Sequence, residues 1–151
     1  MNVLILSQYF WPENFRINEL VNELDKSKKI NIEVLTAKPS YPSKNVYENK
    51  KLTNFGKIKV HRLSVFLRNG SKISIIFNYI SFVINATIFM LFLNKKKYDA
   101  IFVFQVSPVF SAIPAIIYSK FNKTKVYLWV LDLWPESILS LGFNSKTIFF
   151  I

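Results

Sequence analysis

Two carboxylates lie four residues apart in Asp132–Glu136, directly after the apolar run Lys125–Leu131 (KVYLWVL). A carboxylate at the end of a buried strand can orient or deprotonate a hydroxyl, which makes Asp132 the candidate catalytic group. An aspartate there can equally cap the turn that follows. Glu136 can bind a ligand hydroxyl or simply favour a helix N-terminus, and Trp134 can stack on a ring or fill the core. A second set opens the chain: Glu13, Asn14 and Arg16 follow the aromatic loop QYFWPEN. A guanidinium there can fork onto two diphosphate oxygens or stand in solvent. Lys38 and Tyr41 in AKPSYPS, Arg68 and Lys72 around Gly70 in RNGSK, and Gln105 and Ser107 in QVSP complete the candidates. Arg68 and Lys72 suit an anionic ligand or a lipid headgroup, and equally suit water. His61 stands inside the alternating stretch IKVHRL and reads as structural. With one histidine and no cysteine, a thiolate nucleophile, a disulfide and a zinc cluster are excluded.

These residues need elements to position them. Asn2–Ser7, Ile32–Thr36, Ile58–Leu63, Asp99–Phe104 and Lys125–Leu131 read as strands. Ile17, Leu20, Val21 and Leu24 recur with the period of a helix face. Pro108–Phe121 reads as a helix started by proline, and another helix should begin near Ser137. Strands alternating with helices predict an α/β fold with a doubly wound, mostly parallel, Rossmann-like sheet. Ligands on such sheets bind beyond the carboxyl ends of the strands. The segments expected there are the first loop, AKPSYPS, the stretch leading to RNGSK, QVSP and DLWPES. All the candidates above except His61 belong to them.

At 151 residues, 51% of them hydrophobic and 17% aromatic, the chain is one folded domain rather than a disordered tail. The run Met1–Ser7 is too short for a signal peptide and suits a first strand. A net charge of +11 fits a surface solvated by lysine, an anionic lipid surface or a pyrophosphate ligand. No nucleic-acid module is recognisable, so nucleic acid is not an expected partner. Ile73–Leu93 holds 21 uncharged residues, long enough to span a bilayer. Ser74, Asn78, Ser81, Asn85 and Thr87 nevertheless form a polar stripe along it. The expectation is a domain helix packed on the sheet, with part of its apolar face free for lipid. A buried helix and a true span are the alternatives.

The order and spacing of QYFWPENFRINEL, KPSYP, RNGSK, QVSP with IPA, and LWVLDLWPES resemble family 4 glycosyltransferases. The resemblance is to the bacterial subgroup building O-antigen and capsule sugars, described as fucosamine-transferase-like, and runs from about Met1 to Phe150. It implies a GT-B enzyme with two Rossmann-like domains, of which this chain is the N-terminal, acceptor-side one. Transfer would be retaining and metal-independent, with a nucleotide-sugar as donor substrate and no other cofactor. The acceptor would be a sugar on a lipid carrier at the cytoplasmic, inner face of the cell membrane. The position of Asp132 often carries His or Asp near the transferred sugar in such enzymes. Two departures stand out: the first loop, Pro12–Arg16, has no glycine, and Ile30-Asn31 replaces the usual Gly-His. On this reading the donor-binding domain with its Glu pair is absent, a separately encoded one is a candidate partner, and the chain alone is inactive and either poorly soluble or associated with membrane or a partner. The rival expectation is a non-catalytic, membrane-peripheral binding module from a truncated or split gene.

Overall fold

The computed structural model describes residues 1–27, 29–40, 54–93, 98–106 and 109–131. In chain order these form β1 (Asn2–Leu6), α1 (Arg16–Lys26), β2 (Asn31–Ala37), β3 (Asn54–Phe55), β4 (Ile58–Leu63), α2 (Lys72–Phe92), β5 (Ala100–Gln105), a 3-10 turn (Val109–Ala112), α3 (Ile113–Asn122) and β6 (Lys125–Val130). They build one six-stranded sheet in the order β3-β4-β2-β1-β5-β6. Every pairing is parallel except the short β3–β4 ladder. The chain winds outward from β1 through β2 to β4, then returns to the other side of β1 with β5 and β6. The winding direction therefore reverses between β1 and β5.

Side-chain alternation sorts the strands onto two cores. Leu4, Leu6, Leu35, Ile101 and Val103 face α2 and α3, while Val3, Ile5, Val34 and Phe104 face α1. This two-sided burial explains why β1 and β5 read as continuous apolar runs. Helix α1 lays Ile17 and Val21 into its core, with Leu20 and Leu24 beside them, as the 3.6-residue period requires.

Helix α2 inverts the usual pattern. Its inward row, Ser74, Asn78, Phe82, Ala86 and Met90, is spaced by four and begins with two polar residues. Its outward side carries Ile73, Ile76, Phe77, Ile80, Ile84 and Ile88, each exposed over about half its surface (45% to 66%). The polar stripe thus turns toward protein: Asn78 Nδ2 and Asn85 Nδ2 donate to Phe66 O and Ser64 O at 2.6 and 2.7 Å, and Ser81 Oγ accepts from Phe66 N at 2.8 Å. Those bonds supply the backbone beyond β4, which has left the sheet and lacks ladder partners. Ser71 caps the helix, its hydroxyl accepting from Ser74 N at 3.2 Å.

Two expectations are corrected. The helix read as Pro108–Phe121 is a 3-10 turn followed by α3, which starts at Ile113 with Pro114 in its first turn. An α-helix begun at residue 108 would place Pro114 in its interior, where the missing N–H and the ring break the ladder. The strand β3 was not expected. It pairs antiparallel through Gly56, whose φ of +60° glycine adopts without strain.

Candidate functional site

The carboxyl end of the sheet is built from the loop after β1 outward. Past Leu6 the chain stays against β2 for two more residues: Ser7 N donates to Leu35 O at 3.1 Å, and Ala37 N donates to Gln8 O at 3.3 Å. The loop then turns through a cis Trp11–Pro12 bond. Asn18 of α1 holds that turn from below, its Oδ1 accepting from Trp11 N at 2.9 Å and its Nδ2 donating to Glu13 O at 2.7 Å. Glu13 points inward, only 3% exposed, and its Oε1 accepts from Ser40 N at 3.0 Å. A carboxylate from the first loop thereby fastens the loop after β2. Arg62 of β4 donates to Trp11 O and, at 3.4 Å, to Ala37 O. Burial lowers the pKa of its guanidinium to about 10, against the pull of Glu13. Three strand ends are cross-tied in this way.

A second network joins the loop after β4 to the start of α2. Arg68 donates from Nη2 to Tyr9 OH and from Nε to Asn78 Oδ1 at 3.1 Å. Its guanidinium carbon lies 5.5 Å from the Tyr9 ring centre and 5.0 Å from that of Tyr79, both within cation–π range. Tyr9 stacks on Phe15, centroids 4.9 Å apart. Burial pushes the Tyr9 phenol well above its ordinary pKa, while Arg68 pulls the other way. Asn78 Oδ1 also accepts from Gln8 Nε2 at 2.8 Å. The result is an aromatic and amide-rich rim around one engaged guanidinium.

Of the sequence candidates, Glu13, Arg68 and Gln105 come to this end of the sheet as buried or half-buried side chains. Gln105 is 1% exposed, and its backbone carbonyl accepts from Leu131 N at 3.1 Å. Asn14 and Arg16 are exposed at the outer edge of the first loop. Lys38 keeps an exposed side chain, while its N–H donates to Leu63 O at 2.8 Å. Lys72 is the exposed first residue of α2. Tyr41, Ser107, Asp132, Trp134 and Glu136 lie outside the described residues. His61 is remote from the rim chemistry: its Nε2 meets Glu33 Oε2 at 2.8 Å, Tyr98 OH donates to the same oxygen at 3.0 Å, and Phe89 covers the ring. Sequence reasoning passed over Gln8, Tyr9, Arg62, Asn78 and Tyr79. Gln8 and Tyr9 stand in the loop it singled out, and Asn78 in the stripe, so position could have found them.

No protein-family model matches the chain, and no curated protein matches it in sequence. Similarity appears in three dimensions. The structure of TcCGT1 in complex with UDP overlays 95% of this chain with a TM-score of 0.58 at 12% identity. A ugt transferase from Siraitia grosvenorii, also in complex with UDP, overlays 85% with a TM-score of 0.44 at 10% identity. This chain covers 32% and 28% of those two chains, about a third of their length. The mixed α/β architecture with its six-stranded, mostly parallel sheet is therefore similar to GT-B glycosyltransferase structures.

Proposed function

We propose that this chain is the acceptor-side domain of a family 4 glycosyltransferase of the O-antigen and capsule subgroup. In this reading a sugar moves from a nucleotide diphosphate carrier to a lipid-linked acceptor during surface polysaccharide assembly. The carrying observation is the convergence of the loops after β1, β2 and β4 with the end of β5 on one carboxyl rim, beside the outward apolar face of α2. An acceptor with a sugar head and a lipid tail needs both surfaces together. The head would meet the amide and aromatic groups of Gln8, Tyr9, Asn78 and Gln105, and the tail would remain in a bilayer lying against α2. Lys72 and the +11 charge favour an anionic cytoplasmic leaflet. Among the described residues α2 is the one helix long and apolar enough to cross a membrane. Its inward row fills the core under the sheet, which favours lying on the membrane over spanning it.

Asp132 is assigned the acceptor hydroxyl, which it orients or deprotonates, with Trp134 and Glu136 beside the sugar. A donor-binding domain would hold the nucleotide-sugar, and catalysis would rest on positioning and on stabilising the departing diphosphate. The test is co-expression of this chain with a donor-binding domain encoded downstream, measuring transfer from labelled nucleotide-sugars to lipid-linked acceptors in membranes. Transfer should require both parts, and Asp132→Asn should lower it by about a hundredfold or more. No transfer from any donor by the paired domains would overturn the reading. Membrane binding without transfer would instead establish the second reading, a peripheral binding module, which the α2 face also favours.

A further inference from the structure

We propose that Arg68 is a receptor for the phosphate of an amphiphile, placed where the carboxyl rim meets the outward apolar face of α2. The inference rests on the acceptor-domain reading and deepens it: the group read here is the phosphate that joins the acceptor's sugar to its lipid carrier.

The guanidinium is held with one edge bonded and the other open. Nε donates to Asn78 Oδ1 at 3.1 Å and Nη2 donates to Tyr9 OH. Both donors lie on the inner edge of the planar fork, so the outer edge keeps Nη1 and the second hydrogen of Nη2. Among the described residues Nη1 meets no acceptor. The buried side-chain atoms without a partner among those residues are Gln8 Oε1, Gln105 Oε1 and Ser111 Oγ, so Nη1 stays open to water. The rings of Tyr9 and Tyr79, 5.5 and 5.0 Å from the guanidinium carbon, help to hold the fork in place. A long, mobile side chain is thus ordered before any ligand arrives, which lowers the entropy lost on binding.

All of these partners are neutral, and a guanidinium keeps its charge. Among the described residues no carboxylate is bonded to Arg68. Glu13, the buried carboxylate of the rim, is fastened to Ser40 N and acts on Arg62. A half-buried cation without a counterion favours an anion, and a free guanidinium edge fits two oxygens of a phosphate. The surroundings say which phosphate. Phe66 and Leu67, directly before Arg68, are 52% and 47% exposed, and Phe66 packs on Phe77 of α2 with centroids 5.6 Å apart. Tyr79 neighbours Ile76, three residues back on the helix surface and 55% exposed. A cation framed by exposed apolar side chains suits an anion whose next atoms are hydrocarbon. On its other side Arg68 is tied through Asn78 to Gln8 and the rim. A lipid-linked sugar has the same order of parts: polar ring, phosphate, chain. Arg68 stands between the surface assigned to the ring and the surface assigned to the chain.

The experiment titrates the 151-residue chain with three probes by calorimetry: farnesyl diphosphate, which joins a chain to phosphate, inorganic pyrophosphate, which has no chain, and farnesol, which has no phosphate. Farnesyl diphosphate should bind about tenfold or more tightly than either of the others. Arg68→Gln removes the charge and keeps an amide to meet Asn78. It should weaken farnesyl diphosphate by about tenfold or more, the worth of a charge-assisted hydrogen bond, and leave farnesol unchanged. Lys125→Gln removes the same unit of charge from an exposed residue at the opposite, amino end of the sheet and should change neither. In the parent chain the Arg68 Nε–H resonance should shift on titration, which reads the site without any substitution. Equal losses in Arg68→Gln and Lys125→Gln, or an Arg68 resonance that does not move, overturn the proposal in favour of diffuse charge and a structural arginine. Pyrophosphate binding as tightly as farnesyl diphosphate overturns the amphiphile assignment and makes soluble phosphate the ligand. The transfer assay separates the two readings: transfer with an acceptor KM untouched by Arg68→Gln sinks the receptor alone, whereas Arg68-dependent binding of farnesyl diphosphate without any transfer by the paired domains sinks the transferase alone.

Discussion

Replacing Ile80 and Ile84 together with serine measures what the outward face of α2 does. The two residues stand one turn apart and are 45% and 52% exposed. Phe82 between them is 0% exposed and faces the core, so the same turn of helix supplies its own control. Burying a whole isoleucine side chain is worth about 1.5–3 kcal/mol, so lipid contact over the exposed half yields about 1 kcal/mol for each residue. Losing both should weaken membrane partition by about 2 kcal/mol, roughly thirtyfold. Isoleucine and serine have similar helix propensity, so the helix itself is little changed. The half already covered by protein is lost from the fold too, at about 1 kcal/mol each, whereas Phe82→Ala should cost the fold about 3–5 kcal/mol. Co-sedimentation with vesicles containing anionic lipid, repeated at high salt, reads the difference. The parent should stay bound at high salt through its apolar face, and Ile80→Ser/Ile84→Ser should bind there about thirtyfold more weakly, through Ile73, Ile76, Phe77 and Ile88 alone. A folded double variant that binds vesicles as tightly as its parent at high salt refutes the reasoning and moves the lipid contact elsewhere.

Asn18→Ala removes two of the bonds that fix the turn of the first loop, and should lower stability by about 1–2 kcal/mol in chemical denaturation. It should also raise backbone hydrogen exchange at Trp11, whose N–H loses its acceptor, and to a lesser degree at Ser40, because Glu13 O loses its Asn18 donor. Tyr98→Phe withdraws a donor from the buried Glu33 carboxylate and should cost about 1–3 kcal/mol at neutral pH. Burial raises the Tyr98 phenol to about 12, above the unfolded value of 10.0. The folded state therefore keeps a proton that the unfolded chain gives up, and this stability is full below pH 10 and lost as pH rises toward 12. Alkaline melting curves should show that decline, and Tyr98→Phe should flatten it.

The sheet was legible because burial on two faces and a one-residue alternation leave few alternatives. Runs such as NVLIL and AIFVFQ have the length and composition of central parallel strands, and the stretches between them carry helical periods. The placement of the loops after β1 and β4 at the carboxyl rim followed from that topology alone. Individual side-chain roles were less legible. Glu13 and Arg68 were charged residues in suggestive loops, yet their partners are set by bonds between Glu13 and Ser40 and between Arg68 and Asn78, which local spacing does not reveal. Pro114 misled in a different way: the reading took Pro108 as the helix start, although only the later proline satisfies the first-turn rule.

The polar stripe of α2 carries the strongest link between fold and surface. In a water-soluble helix, serine and asparagine at positions 74, 78, 81 and 85 would face solvent and the isoleucines would face the sheet. Here the backbone beyond β4 runs beside α2 with Ser64 O, Phe66 N and Phe66 O in need of partners, and Asn85, Ser81 and Asn78 meet them. An unpaired backbone group costs about as much as a lost hydrogen bond, so this segment fixes the rotation of the helix. Once that rotation is fixed, the isoleucines have only the outside left to occupy. The same bonds that hold Arg68 and Gln8 in the rim thus turn the apolar face outward, so under the proposed function a substitution such as Asn78→Ala should disturb sugar recognition and membrane contact together. Independent responses of the two in that variant would show that the surfaces are not coupled through α2.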